Sequence, residues 1–197
     1  MPEAHEHLEH AEHVEHAAGW NKKIALLIAV LALMLSFAET LGKSAQTEAF
    51  DANVKSADTW AFYQAKDIRR TIVTAAADQT LLLAPAQPEP ASRSALEKQI
   101  AAWRATAARY ESDPKTGEGR KELAVQAREQ EQSRDLALAR YHNYELASAA
   151  FQVGIVLASA TVITGMVALA WFAGALGAVG LGLLALGLFA PHAAELL

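Results

Sequence analysis

Cysteine is absent from all 197 residues, which excludes disulfides, thiolate metal centres and thiol catalysis together. Acidic and basic side chains are missing from 45 consecutive positions, residues 146–190. One membrane crossing takes about 20 apolar residues, so this run is too long for one span and suits two joined by a tight turn. A surplus of positive charge is lacking as well. Residues 43–145 carry fifteen Lys/Arg against fifteen Asp/Glu. Nucleic acid calls for a basic face and anionic lipid heads for a polybasic stretch, so no nucleic-acid partner is expected. Nor does the chain open like a cleavable signal, which starts basic and then turns briefly apolar. Here twenty acidic and His-rich residues come first, and no small-residue cleavage site follows Leu41. Finally, no Ser and His stand beside an acid at the spacing of a nucleophile, base and orienting group. His142 and His192 are isolated. The expectation is a protein that is not an enzyme.

What is present is segregated. Apolar residues are concentrated in 24–41 and 146–190, with a polar, Ala-rich stretch between them. The fold class expected is an all-α membrane protein with one N-terminal transmembrane helix, an extramembrane helical coiled-coil domain and a C-terminal two-helix transmembrane hairpin. The divisions are an acidic His-rich tail at 1–20, a first span at 21–42 and the helical domain at 43–146. Spans at 147–171 and 172–191 follow, with Trp171 and Phe172 at their turn, and a short tail at 192–197. Lys22 and Lys23 can snorkel at one end of the first span, and Trp20 sits where an interfacial aromatic belt would place it. Glu39 lies within a turn of the other end, reaching headgroup water or, alternatively, pairing with Arg140 or His142.

Beyond Gly42 a helical stripe begins. Phe50, Val54, Ala57, Ala61, Gln64, Ile68, Ile72, Ala75, Gln79 and Leu82 follow alternating steps of three and four. That is a coiled-coil seam with one irregular step, Ile68 to Ile72. Pro85, Pro88 and Pro90 end the helix. Ser92 or Ser94 can cap a second helix whose seam is Leu96, Ile100, Trp103, Ala107 and Tyr110. Residues 112–119 read as a turn. A third helix starts near Arg120, with Leu123, Ala127, Gln130, Arg134, Ala137, Tyr141 and Tyr144 as its seam, and no stop signal precedes the membrane. Such Ala-rich seams bury little area, and at about 25 cal/mol per Å² the domain is marginal alone. Self-association into a homo-oligomer is therefore expected.

In lipid the drive for helices to pack is weak, and small residues that allow close backbone approach favour it. Gly154, Ala158, Gly165, Ala178 and Gly182 are the candidates, with Ala178 and Gly182 a small-xxx-small pair. For orientation, Lys22 and Lys23 favour a cytoplasmic N-terminus. Lys43, Lys55, Arg128, Arg134 and Arg140 oppose it, but from a loop longer than the roughly 60 residues over which positive charge decides topology. A cytoplasmic tail and a periplasmic middle domain, in a bacterial inner membrane, are expected.

Two groups of residues can carry recognition. His7, His10, His13 and His16 recur every three residues, each after a Glu. On a helix neighbouring imidazoles of such a set can share a divalent ion such as zinc, and protonation near pH 6 would change the tail's charge. The bland alternative is a solvated acidic helix with i,i+4 pairs. The densest aromatic and polar cluster is Asp58-x-Trp60-Ala61-Phe62-Tyr63-Gln64-Ala65-Lys66-Asp67. Trp60, Tyr63 and Asp67 share one helical face with Gln64 adjoining, which suits either packing between helices or subunits or an interaction surface.

This cluster, the acidic His-bearing tail, the first span, the helical middle and the closing hairpin resemble bacterial domain-of-unknown-function family 4337. The resemblance spans nearly the whole chain, with Trp60-Ala61-Phe62-Tyr63-Gln64-Ala65-Lys66 its most specific element. It implies the same architecture and no particular activity. Relatives tend to carry basic residues at the hairpin turn, implying a cytoplasmic turn, whereas this chain has Ala170-Trp171-Phe172-Ala173. The function expected is a self-associating structural, accessory or scaffold subunit of a larger complex in the lipid bilayer. Alternatives are a metal- or pH-responsive membrane protein using the tail, and a small transporter or channel.

Overall fold

A computed structural model describes the backbone of residues 3–83 and 89–196, with side chains over 22–83 and 89–193. Among these residues the chain is all-helical, with no strand. It comprises α1 (Glu3–Leu83), α2 (Pro90–Glu111), α3 (Arg120–Thr164), α4 (Val167–Phe189) and a closing 3-10 helix, Pro191–Leu196. Stretches of α1, α3 and α4 are long and apolar enough to cross a membrane. The chain forms two compact units, one of residues 1–48 with 136–197 and the other of residues 49–135.

The first unit packs α1 and α3 against α4. Leu31, Ala38, Ala147 and Phe151 form one buried cluster, flanked by Leu27, Met34, Leu35, Ile155, Leu183 and Leu184. Ile24, Ala158 and Ala173 form a second. The hairpin turn falls at Gly165 and Met166, not at Trp171 and Phe172, and so moves the expected 147–171 and 172–191 boundary towards the N-terminus. Gly165 adopts φ +71°, the left-handed conformation that glycine enters without a Cβ penalty. Its N–H donates to the Thr161 carbonyl at 2.9 Å, the bond that closes a helix at a left-handed residue. The Thr164 hydroxyl accepts from the Met166 N–H at 3.3 Å. Trp171 and Phe172 have no such means of ending a helix, and both lie exposed on the first turns of α4. Glu39 meets Gln152, whose Nε2 lies 3.4 Å from Glu39 Oε1, rather than Arg140 or His142. It borders a cleft of about 310 Å³ that Lys43, Tyr141 and Glu145 also line.

In the second unit α2 begins at Pro90, two residues before Ser92. Proline suits the first helical position, where its missing N–H would be unpaired in any case, and Glu89 precedes it as the cap residue. Two of the three apolar seams face inward. Ile100 on α2 and Leu123 and Ala127 on α3 are buried, and Leu96, Trp103, Ala107 and Tyr110 are half-buried beside them. The α1 seam does the opposite. Phe50 (70%), Val54 (42%), Ile68 (60%), Ile72 (61%) and Leu82 (80%) are exposed, as are Ala57, Ala61, Gln64, Ala75 and Gln79 between them. The face that α1 turns inward instead carries Ala49, Ala52, Ser56 and Ala77, all buried.

Candidate functional site

The second unit's polar contacts converge where α1 passes the α2–α3 turn. The turn is built on Gly117, at φ +71°, whose N–H reaches the Asp113 carbonyl at 2.9 Å. Gln126 Nε2 donates to the Gly117 carbonyl at 3.0 Å. Glu122, in the first turn of α3, reaches back across it. Its Oε1 accepts from the Ser112 hydroxyl at 2.6 Å and its Oε2 from the Asp113 N–H at 3.2 Å. These donors favour the carboxylate. The Ser112 hydrogen bond first, and more weakly the Asp113 N–H and Lys121, hold the Glu122 pKa below its ordinary value, outweighing the opposing effect of burial. Gly119 is buried within the turn.

Arg120 follows and gathers three partners. Its Nη2 donates to the Tyr63 hydroxyl at 2.8 Å, its Nη1 to Glu111 Oε2 at 2.9 Å, and its Nε lies 3.0 Å from Asp67 Oδ1. The last contact is an ion pair whose angle is too poor for a hydrogen bond. Arg70 Nε joins Glu111 Oε2 at 3.1 Å. The Tyr63 hydrogen bond, outweighing burial and aided by Tyr63, Asp67 and Glu111, pushes the Arg120 pKa up. The guanidinium is thus a fixed cation.

One helical turn earlier, Trp60 Nε1 donates to Glu131 Oε1 at 2.9 Å. The Trp60 and Tyr63 rings meet edge to face, 5.3 Å apart at 79°, a geometry in which the positive edge of one ring meets the negative face of the other. Lys66 Nζ lies 5.0 Å from the Phe62 ring centre, 5.5 Å from that of Tyr110 and 3.3 Å from Glu118 Oε2. The family-like cluster of α1 therefore locks α1, α2 and α3 of its own unit together.

Of the four residues expected to form an interaction surface, Trp60, Tyr63 and Asp67 are brought together with partners from their own chain, and Gln64 alone is exposed. Arg120, Glu111, Tyr110 and Glu131 were not legible as site residues. Each is a single side chain 40 or more residues from its α1 partner, and no local spacing marks it. Among the helix-packing candidates, Gly154 and Ala158 sit in packed surroundings: a Cβ on Gly154 would meet the Ala173 carbonyl and Leu31 at 3.3 Å, and Ala158 is buried. Gly165 is the turn residue. Ala178 and Gly182 are exposed, with nothing near a Cβ on Gly182, so any packing there requires another molecule. The face that α4 presents to its own chain is Ala173, Gly177, Gly180 and Gly187, one residue off the Ala178 register. Gly180 and Gly187 receive the rings of Phe151 and Tyr144.

Nearby, Asn143 is buried, and its Nδ2 donates to the Ala139 carbonyl at 3.0 Å and the Pro191 carbonyl at 2.9 Å, tying the C-terminal segment to α3. Among the described residues no three His, Asp or Glu side chains are grouped as a metal ion would need. The side chains of His7, His10, His13 and His16 lie outside the described residues. What the arrangement offers is a fixed polar clamp on one face of α1 and an apolar stripe on the other.

No curated protein and no solved structure matches the chain. A family model described as Domain of unknown function (DUF4337) matches residues 20–190, a span that takes in all three apolar stretches and the Trp60–Lys66 clamp, and the chain belongs to that family.

Proposed function

We propose that this is a multi-pass protein of the bacterial inner membrane whose role is structural. It self-associates and serves as a scaffold or accessory subunit of a larger membrane complex. In this reading α1 carries the first span and α3 and α4 the closing hairpin. Residues 43–146 form an extramembrane coiled-coil domain, periplasmic if the Lys22–Lys23 pair keeps the N-terminus cytoplasmic.

The observation that carries the reading is the outward-facing seam of α1. A helix packed onto one neighbouring layer normally hides its apolar stripe and shows its polar face to water. Here the polar side chains Tyr63, Asp67 and Arg70 are half-buried in the clamp, while Phe50, Ile68, Ile72 and Leu82 are exposed. Contiguous exposed apolar surface of this kind marks an interaction site. The clamp fixes which face of α1 points out, so the stripe cannot roll inward without breaking the Trp60–Glu131 and Tyr63–Arg120 bonds.

The test is the mass of the full chain, extracted in mild detergent, by light scattering corrected for bound detergent. A multiple of 21.1 kDa is expected. A protein mass of one chain, at concentrations where the extract remains helical, removes the reading.

A further inference from the structure

We infer that the α1 stripe is covered by the same stripe of a second copy, the two helices running parallel and in register as a two-stranded coiled coil. This rests on the membrane-anchored, self-associating reading above and specifies its partner.

The spacing of the stripe identifies the occupant as a helix. From Phe50 to Ile68 and from Ile72 to Leu82 the exposed positions alternate steps of three and four. A seam repeating every 3.5 residues stays opposite a partner only when that partner is a helix wound around it. The single step of four between Ile68 and Ile72 is an irregularity that locally unwinds such a pair. A partner must carry the same irregularity at the same level to keep side chains interdigitated on both sides of it. A second copy in register does so automatically, a shifted pairing places it against regular repeats, and the one reversed alignment that also matches it, Ile68 against Ile72, is excluded by direction.

Chain connectivity fixes direction. Phe50 lies eight positions beyond Gly42, at the end of the first apolar run, which is about 12 Å of helix. Two copies inserted the same way in one bilayer therefore start their stripes at the same level and run alongside each other. The seam chemistry agrees with two parallel strands. Val54, Ile68 and Ile72 occupy the position at which β-branched residues favour parallel pairs, and Leu82 the alternate position where leucine does. Gln64 and Gln79 are polar seam positions, which set register because each amide finds its counterpart only in one alignment.

The flanking charges do not oppose this pairing. In the parallel register Asp58 of one copy faces Asn53 of the other, and Asp78 faces Leu83, so no two carboxylates are opposed along the seam. The area is sufficient. At the exposures of Phe50, Val54, Ile68, Ile72 and Leu82, the five large residues offer at most roughly 600 Å² per copy, so that two copies, with the alanines and glutamines between them, come to roughly the 1,200 Å² at the lower edge of stable interfaces.

The absence of cysteine makes the test direct. Val54→Cys and Ile68→Cys are introduced singly into the full chain and oxidised in native membranes. Facing seam positions of a parallel pair place Cα atoms about 6 Å apart, the distance a disulfide spans. Each variant is expected to yield a disulfide-linked species of twice 21.1 kDa, at least five-fold more than Ala52→Cys on the inward face. The two positions are 14 residues apart, about 21 Å, so an antiparallel pair cannot link both to themselves. Linkage at only one of them, or only in a mixture of Val54→Cys with Leu82→Cys, overturns the parallel register. A cross-link of any other mass assigns the stripe to a different protein and overturns the inference. No cross-link together with a multimeric detergent mass overturns it while leaving self-association standing, and a monomeric mass removes both.

Discussion

Gly180 and Phe151 provide a test of how the apolar unit is held together. A Cβ built on Gly180 lies 2.7 Å from Phe151 Cε1, 2.9 Å from Cζ and 3.0 Å from Cδ1. Carbon atoms in contact prefer about 3.5–4.0 Å, so Gly180→Ala must push the ring by about 1 Å. Phe151 is wholly buried, among Leu31, Ala38 and Ala147, and has nowhere to go. Overpacking of this kind costs about 1–3 kcal/mol. Phe151→Leu removes the offending ring atoms, and as a shape change within an apolar site it costs about 1 kcal/mol alone. Combining the two lets the new methyl occupy part of the space the ring vacates. The pair should therefore be less destabilised than the sum of its parts, with a coupling of about 1–2 kcal/mol.

Gly182 is the internal control. Nothing lies within 4 Å of its Cβ position, so Gly182→Ala should be neutral or stabilise by up to about 1 kcal/mol through helix propensity. The assay is helix content of the detergent-solubilised chain during titration with SDS. Additivity of Gly180→Ala and Phe151→Leu to within about 0.5 kcal/mol, or equal losses at positions 180 and 182, would refute the opposed ring and glycine.

Two further outcomes are expected in the polar unit. Gly119→Ala should destabilise by about 1–3 kcal/mol in thermal melts, because its Cβ would collide with the Asp113 backbone nitrogen and the Glu122 carboxylate and come within 2.6 Å of Ser112 Cα, and backbone cannot swing aside. Because the Glu122 pKa is lowered in the folded protein, its contribution is fully present above the ordinary glutamate value and is lost as pH falls through the folded value. Ser112→Ala should flatten that acid limb of the melting curve, and an unchanged slope below pH 5 would contradict the assignment.

The helices and their apolar stretches were legible because their cause is local. Charge-free runs and three-four spacing persist over many residues, and the α2 and α3 seams lie on the faces that the pattern indicates. The hairpin turn was not legible from Trp171 and Phe172. It depends on which glycine enters the left-handed region, and a stretch holding Gly154, Gly165 and Gly174 offers several. The α4 contact face escaped for a related reason. In a helix this rich in Gly and Ala, Ala178 and Gly182 look as suitable as Gly177 and Gly180, and the rings of Phe151 and Tyr144 on α3 decide between them. The inward face of α1 was the largest departure. Apolar spacing marks Phe50, Val54, Ile68 and Ile72, whereas the face that packs is fixed by the partners of Trp60, Tyr63 and Asp67 at Glu131 and Arg120, 53 or more residues away in sequence.

That departure bears on function. Hydrophobic burial alone would rotate α1 so that its apolar stripe faced α2 and α3, and the polar clamp would become solvent-exposed. The clamp opposes this rotation with charge-assisted bonds, each stronger than an ordinary hydrogen bond, and with Lys66 held between two rings and Glu118. A chain selected only for a stable monomer gains nothing from directing its most specific residues to keep an apolar stripe outside. A chain selected to assemble gains a pre-oriented seam, whose facing direction is set before a partner arrives. On the proposed reading, the Trp60–Lys66 clamp and the Phe50–Leu82 stripe are two faces of one device: the first fixes the rotation of α1, and the second would use that rotation to recruit another helix.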